Sequence, residues 1–134
     1  MNKKVLVLCT GNSCRSIIAE AVLNAYLDGV DAYSSGVKAS GKVNPNAKKL
    51  LEAEGIWRDE YHSKTIDKVL DIDFDLVITV CDNAKESCPM FPKKAKVIHV
   101  GYEDPDGKNY AAFEKTLKLI KMELTPITRM ELGL

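Results

Sequence analysis

Several things are scarce in this sequence of 134 residues. No apolar run approaches the ~18 residues that a helical membrane span requires. Net charge is absent, because Lys and Arg total 19 and Asp and Glu total 19. Bulk positive charge therefore cannot recruit a nucleic acid. There is one tryptophan, Trp57, and it reads as a core residue. The two histidines, His62 and His99, have no ligand spacing with the cysteines, so no metal site is expected. Internal repeats, linkers and low-complexity tracts are lacking, and the expectation is a single domain over residues 1–134. The apolar run near the start, Val5 to Leu8, is too short for a secretory leader and reads as a first strand. The expected address is the cytosol.

Cysteine is present: Cys9, Cys14, Cys81 and Cys88. A chain of this length can bury roughly 68% of its unfolded surface and needs no covalent staples. In a reducing compartment, structural disulfides are also disfavoured. The cysteines therefore point to chemistry.

Val5-Leu6-Val7-Leu8 is a continuous run of strand formers, as in a strand buried on both faces. A short polar loop follows, and a helical stripe of Ile18, Ala21, Val22 and Ala25 then runs toward Gly29. Asp31 to Ser34 predicts a second strand. Asn44-Pro45 is a helix-start signal, with Asn as cap and Pro in the first turn. Thr65 to Leu70 predicts a short helix. Leu76 to Val80 and Lys96 to Val100 predict two more strands, the second bounded by Pro89 and Pro92. Phe113, Leu117, Ile120 and Leu124 recur at helical spacing, and Pro126 should end or kink that helix. Strands alternating with helices predict an α/β domain: a four-stranded parallel sheet flanked by helices on both faces.

The informative segment is Cys9-Thr10-Gly11-Asn12-Ser13-Cys14-Arg15-Ser16, between the first strand and the first helix. Ligands of open α/β sheets bind at the carboxyl ends of strands. A loop of this length can turn successive backbone N–H groups inward as a nest for a tetrahedral anion. The helix N-terminus adds positive potential, and Arg15 can hold two anion oxygens with its planar fork. The same field lowers a cysteine pKa from about 8.5 to roughly 4–7, making Cys9 a nucleophile aimed at the anion's centre. Ser16 can donate a hydrogen bond to that sulfur. Asn12 suits a left-handed backbone position.

This segment resembles the phosphate loop of the low-molecular-weight tyrosine phosphatase superfamily, and most of all its thioredoxin-coupled arsenate reductases. The resemblance continues through Tyr33-Ser34-Ser35-Gly36, Val43-Asn44-Pro45, Asp75 to Thr79, Cys88-Pro89-Met90 and Asp104-Pro105. It implies arsenate as substrate, with phosphate and sulfate competing for residues 10–15. It also implies Asp104 as the general acid, thioredoxin as external reductant, and no resident cofactor. Some relatives bind potassium beside the loop. Asn12, Glu20 and Ser34 match that site, while Thr65 stands about where those proteins have an aspartate. Asp106 follows Pro105 where phosphatases commonly carry an aromatic residue, and it competes for the acid role.

The loop alone does not separate phosphatase from reductase, because both attack a tetrahedral oxyanion with its cysteine. Nor does Cys14, which packs at the helix start or serves redox chemistry equally well. Cys81 and Cys88 separate them. Reducing arsenate to arsenite takes two electrons, and two thiols closing to a disulfide supply two. The resemblance implies a relay in which Cys9 attacks arsenate, Cys81 attacks Cys9, and Cys88 attacks Cys81. Were residues 82–87 helical, Cys81 and Cys88 would sit about 10 Å apart. A disulfide needs Cα atoms roughly 4.4–6.8 Å apart, so that segment would have to unwind. The alternatives are a phosphatase hydrolysing phosphoesters through a Cys9 phospho-intermediate, and a redox sensor without turnover.

Overall fold

The structure is a computed structural model that describes residues 2–82 and 90–134. Its centre is a four-stranded sheet of β1 (Lys3–Cys9), β2 (Val30–Gly36), β3 (Leu76–Thr79) and β4 (Val97–His99). The spatial order is β2-β1-β3-β4, and every pairing is parallel. The strand β1 lies between two neighbours, which is why its apolar run is continuous: Val5 to Leu8 are all fully buried. Val5, Val7 and Cys9 join the larger core, and Leu6 and Leu8 join a smaller one on the opposite face.

The larger core is closed by α1 (Arg15–Tyr26), α2 (Pro45–Ala53), α3 (Tyr110–Leu119) and α4 (Thr125–Leu132). Asn44 caps α2 as expected, its side chain accepting from the Asn46 N–H at 2.8 Å. The smaller core is covered among the described residues by Val69, Ile72 and the edge-packed rings of Tyr33, Phe74 and Phe91. The helix expected over Thr65 to Leu70 shrinks to one 3₁₀ turn, Ile66–Lys68. Thr65 bridges to Gly36 with an extended backbone, so no helix can start before it.

Pro126 neither ends nor begins the last helical stretch. A π-helical segment, Ile120–Leu124, follows α3 directly, and α4 starts at Thr125 with Pro126 in its first turn. Proline lacks the N–H for a bond four residues back and its ring crowds that carbonyl. Widening the preceding turn shifts the register and removes the clash. Ile120 and Leu124 stay fully buried through the change. Trp57 is half-buried, packed on the larger core and edge-on to Tyr61.

Phe113 is the largest fully buried side chain among the described residues. Phe113→Ala is expected to lower stability by about 3–5 kcal/mol, read from urea unfolding, because the cavity left behind collapses only in part. Met122→Ala, at a 64% exposed position, should stay within about 0.5 kcal/mol of the parent.

Candidate active site

The strand β1 ends at Cys9 and α1 begins at Arg15, so residues 10–14 must turn sharply at the sheet edge. Their carbonyls are held from outside. Thr10 O accepts from the Lys38 N–H at 3.0 Å, Gly11 O from Ser40 N–H at 3.0 Å, and Ser13 O from Asn44 N–H at 2.9 Å. Among the described residues there is no cis peptide bond. In a trans peptide the carbonyl and the next N–H point in opposite directions. The N–H groups of Gly11, Asn12 and Cys14 are therefore turned to the inner side of the loop. Inward amides of this kind are what a nest for an oxyanion requires.

Asn12 organises that turn. It is fully buried, with φ at 48°, in the left-handed region. Its Nδ2 donates to Ser16 Oγ at 2.8 Å and to Ser34 Oγ at 2.9 Å. Its Oδ1 accepts from the Lys64 N–H at 2.8 Å. Gly36, at the end of β2, lets the loop come this close: a Cβ there would lie 2.5 Å from Thr10 O and 3.1 Å from Asn12 N.

A cavity of about 260 Å³ opens over residues 9–15, closed by Ser40, Asp104 and Asp106. Arg15 is only 3% exposed. Its Nη1 donates to Tyr102 O at 3.1 Å, and its Nη2 lies 3.5 Å from Asp104 Oδ2. Both candidate acids thus line the same cavity. Asp104 Oδ1 accepts from the Asp106 N–H at 3.0 Å, and Asp106 Oδ1 accepts from Asn44 Nδ2 at 2.7 Å. Asn44 signals only a helix start in sequence. In three dimensions it joins the loop, α2 and the Asp104-Pro105-Asp106 segment. Only that packing makes the triple role visible.

Cys9 and Cys14 are buried and take part in no disulfide. Burial pushes the Cys14 thiol up to about 12, and the Asp104 and Asp106 carboxylates add to it. Its contact with Ser13 Oγ at 3.6 Å pulls the other way and does not overcome burial. Cys14 therefore stays protonated at neutral pH. Cys81 is fully buried and disulfide-bonded. It stands two residues past Thr79, which pairs with Leu8, so it emerges from the sheet edge that carries Cys9. Cys88, and the helix considered for 82–87 apart from Asp82, lie outside the described residues. His99 packs at the end of β4, its Nδ1 2.7 Å from Thr79 Oγ1.

Beside the loop, Ser34 Oγ donates to Glu20 Oε1 at 2.6 Å. Lys64 lines the cavity that also reaches Glu20, and its ammonium draws the carboxylate toward ionisation. Thr65 is turned away, donating to Asp67. The oxygens of Asn12 and Ser34 are already engaged, and a lysine faces the carboxylate. A lysine charge therefore already acts on the carboxylate that the resemblance assigned to potassium. Lys64 Nζ donates to His62 O at 3.1 Å, near enough for its charge to favour ionised Glu20, while the extended backbone of the Thr65 bridge turns that side chain out.

A four-stranded parallel sheet with a cysteine, a ring of amides and a buried arginine at one strand end defines an α/β domain built to handle oxyanions. The chain belongs to the low molecular weight phosphotyrosine protein phosphatase family, whose model matches residues 4–130. It is 45% identical over 123 residues to an arsenate reductase of Halalkalibacterium halodurans, covering 86% of this chain and 88% of that protein. The crystal structure of an arsenate reductase from Archaeoglobus fulgidus superposes with a TM-score of 0.82 at 34% identity, over 92% of this chain and 97% of the other. A low molecular weight protein tyrosine phosphatase from T. tengcongensis shares the fold, with a TM-score of 0.79 at 24% identity over 96% of this chain and 99% of the other.

Two expectations follow. Gly36→Ala should destabilise the fold by about 1–3 kcal/mol and abolish phosphate binding in calorimetry, since the added methyl meets backbone. Burial pushes the Glu20 carboxyl up to about 7 from 4.5, against the pull of Lys64 and the Ser34 hydrogen bond. A raised folded-state value means that this group favours folding below about pH 4.5 and withdraws that contribution as pH rises through about 7. In urea titrations, Glu20→Gln should therefore gain on the parent by roughly 2–3 kcal/mol between pH 4.5 and pH 8.

Proposed function

We propose that this protein is an arsenate reductase that passes oxidation along three cysteines to an external dithiol protein of the thioredoxin class. The observation that carries the reading is the place of Cys81. It leaves β3 at the sheet edge where Cys9 leaves β1, on the adjacent strand. A hydrolytic phosphatase has no use for a second thiol there.

In this mechanism the loop amides and Arg15 hold three arsenate oxygens, and the Cys9 thiolate, with a hydrogen bond from Ser16, attacks arsenic. Asp104 protonates the departing oxygen as water. The Cys81 thiolate then attacks the Cys9 sulfur. The sulfur–arsenic bond breaks, its electron pair stays on arsenic, and arsenite leaves. The Cys88 thiolate attacks Cys81, releasing Cys9 as thiolate, and the reductant's dithiol reopens the Cys81–Cys88 disulfide by exchange. Phosphate and sulfate fit the same nest and should compete. No resident cofactor takes part, and the chemistry suits the reducing cytosol.

A second reading is a phosphatase that hydrolyses phosphoesters through a Cys9 phospho-intermediate. The family match and the loop geometry favour it equally, since three phosphate oxygens fill the same nest.

The two readings separate in a thioredoxin-coupled assay that follows arsenate-dependent NADPH oxidation. Cys9→Ser, Cys81→Ser and Cys88→Ser should each reduce turnover by at least a hundredfold. Cys81→Ser should leave p-nitrophenyl phosphate hydrolysis within twofold. Thiol counting should show two free thiols lost per chain after arsenate alone. Full reductase activity in Cys88→Ser would remove the relay.

A further inference from the structure

Arsenate and a phosphate monoester present the same three oxygens to the loop. They differ in the fourth substituent, which is a hydroxyl in one and an ester oxygen in the other. In-line attack by Cys9 requires that substituent to lie opposite the sulfur, and Asp104 and Asp106 line the cavity across from the loop. The mouth is therefore where discrimination between them has to occur.

Asp106 is an exposed carboxylate, yet it is held in place. Its Oδ1 accepts from Asn44 Nδ2 at 2.7 Å, and its N–H donates to Asp104 Oδ1 at 3.0 Å. Asn44 is fixed in turn. Its N–H donates to Ser13 O at 2.9 Å, its Oδ1 accepts from the Asn46 N–H at 2.8 Å, and its carbonyl accepts from Lys48 N–H at 3.1 Å. Every polar group of Asn44 is thus spent on tying Asp106 to the loop's own backbone and to the start of α2. The carboxylate keeps a constant position relative to the nest, with Oδ2 left as an acceptor. An arrangement of this kind is costly to maintain for a residue that only caps a turn, because it orders a charged side chain against a second carboxylate.

We propose that Asp106 determines specificity, selecting free oxyanions bearing a hydroxyl over phosphate esters. A hydroxyl as fourth substituent donates to the fixed carboxylate. An ester oxygen has no proton to donate, and its carbon substituent has to strip water from Asp106 on entering. Sites built to hydrogen-bond a substrate hydroxyl reject analogues that lack it more strongly than apolar pockets reject extra bulk. A single charge-assisted bond at a solvent-open mouth is worth roughly a factor of ten in affinity. The residue that follows Pro105 thereby makes the shared loop selective for small inorganic anions. The inference rests on the oxyanion reading of the Cys9 loop and deepens it.

The test uses the full chain carrying Cys9→Ser, so that binding is measured without turnover. Calorimetry compares inorganic phosphate with methyl phosphate, a ligand of similar size without the fourth hydroxyl's donor. The parent should prefer phosphate, and Asp106→Ala should reduce that preference about tenfold. Asp106→Asn keeps an oxygen for Asn44 but turns a donor toward the cavity, and it should reduce the preference to the same degree. With Cys9 intact, both substitutions should raise kcat/KM for p-nitrophenyl phosphate about tenfold. An unchanged preference in the variants that fold would overturn the proposal. So would a fall in p-nitrophenyl phosphate hydrolysis with loss of the acid limb of its pH profile, which would make Asp106 the general acid. A shifted preference in a protein that never reduces arsenate would leave this inference standing and sink the reductase reading instead.

Discussion

Everything at the site depends on one buried asparagine holding a left-handed turn. With φ at 48°, Asn12 adopts a conformation that costs a non-glycine residue about 1–2 kcal/mol. Three hydrogen bonds, the buried ones to Ser16 and Ser34 and a part-buried one from the Lys64 backbone, offset that at roughly 1 kcal/mol each. The direction of these bonds matters as much as their number. Ser34 has one proton and gives it to Glu20, so it must accept from Asn12. Asn12 thereby turns both protons of its amide to the two serines, and Ser16 keeps its own proton for another acceptor. The polarity set by a buried carboxylate is carried through two side chains to the start of α1.

The two cysteines of the loop are both buried, and for Cys14 the surroundings favour the thiol. Cys14 sits in the same loop as Cys9, at the cap of α1, where helix polarity alone would favour a thiolate. Burial and the Asp104 and Asp106 carboxylates outweigh that field, and the thiol stays protonated. Position in a loop therefore does not make a cysteine a nucleophile. The amide ring and the guanidinium must face it, and water and carboxylates must be kept at the right distance.

Much of this was legible from residue order. A continuous apolar β1 announces a strand with two neighbours, and Cys9, Gly11, Asn12 and Arg15 between a strand and a helix announce an anion nest, because both signals are local. What stayed hidden depends on contacts far apart in the chain. Gly36 reads as a strand end, and its closeness to Thr10 appears only once β2 pairs with β1 in register. Lys64 lies one residue before the position that the family resemblance suggested, because the Thr65 bridge to β2 forces alternation of side chains that a helix would not. The π segment before Pro126 was also invisible, since apolar spacing alone does not distinguish a widened turn from a regular one.

A loop that binds any tetrahedral oxyanion cannot by itself decide what happens to the anion. Its amides and Arg15 see three oxygens and a central atom, and these are alike in phosphate and arsenate. The choice of reaction has to come from groups that meet what the loop leaves outside. Two such places are built by the topology. The adjacent strand β3 delivers a sulfur to the edge beside Cys9, because parallel pairing brings both carboxyl ends to one side. The segment after Tyr102 delivers two carboxylates to the cavity, and its start is pinned by the Arg15 guanidinium that lines the same cavity. Chemistry in this fold is thus a property of the strand neighbours and the mouth, which can change while the nest stays the same.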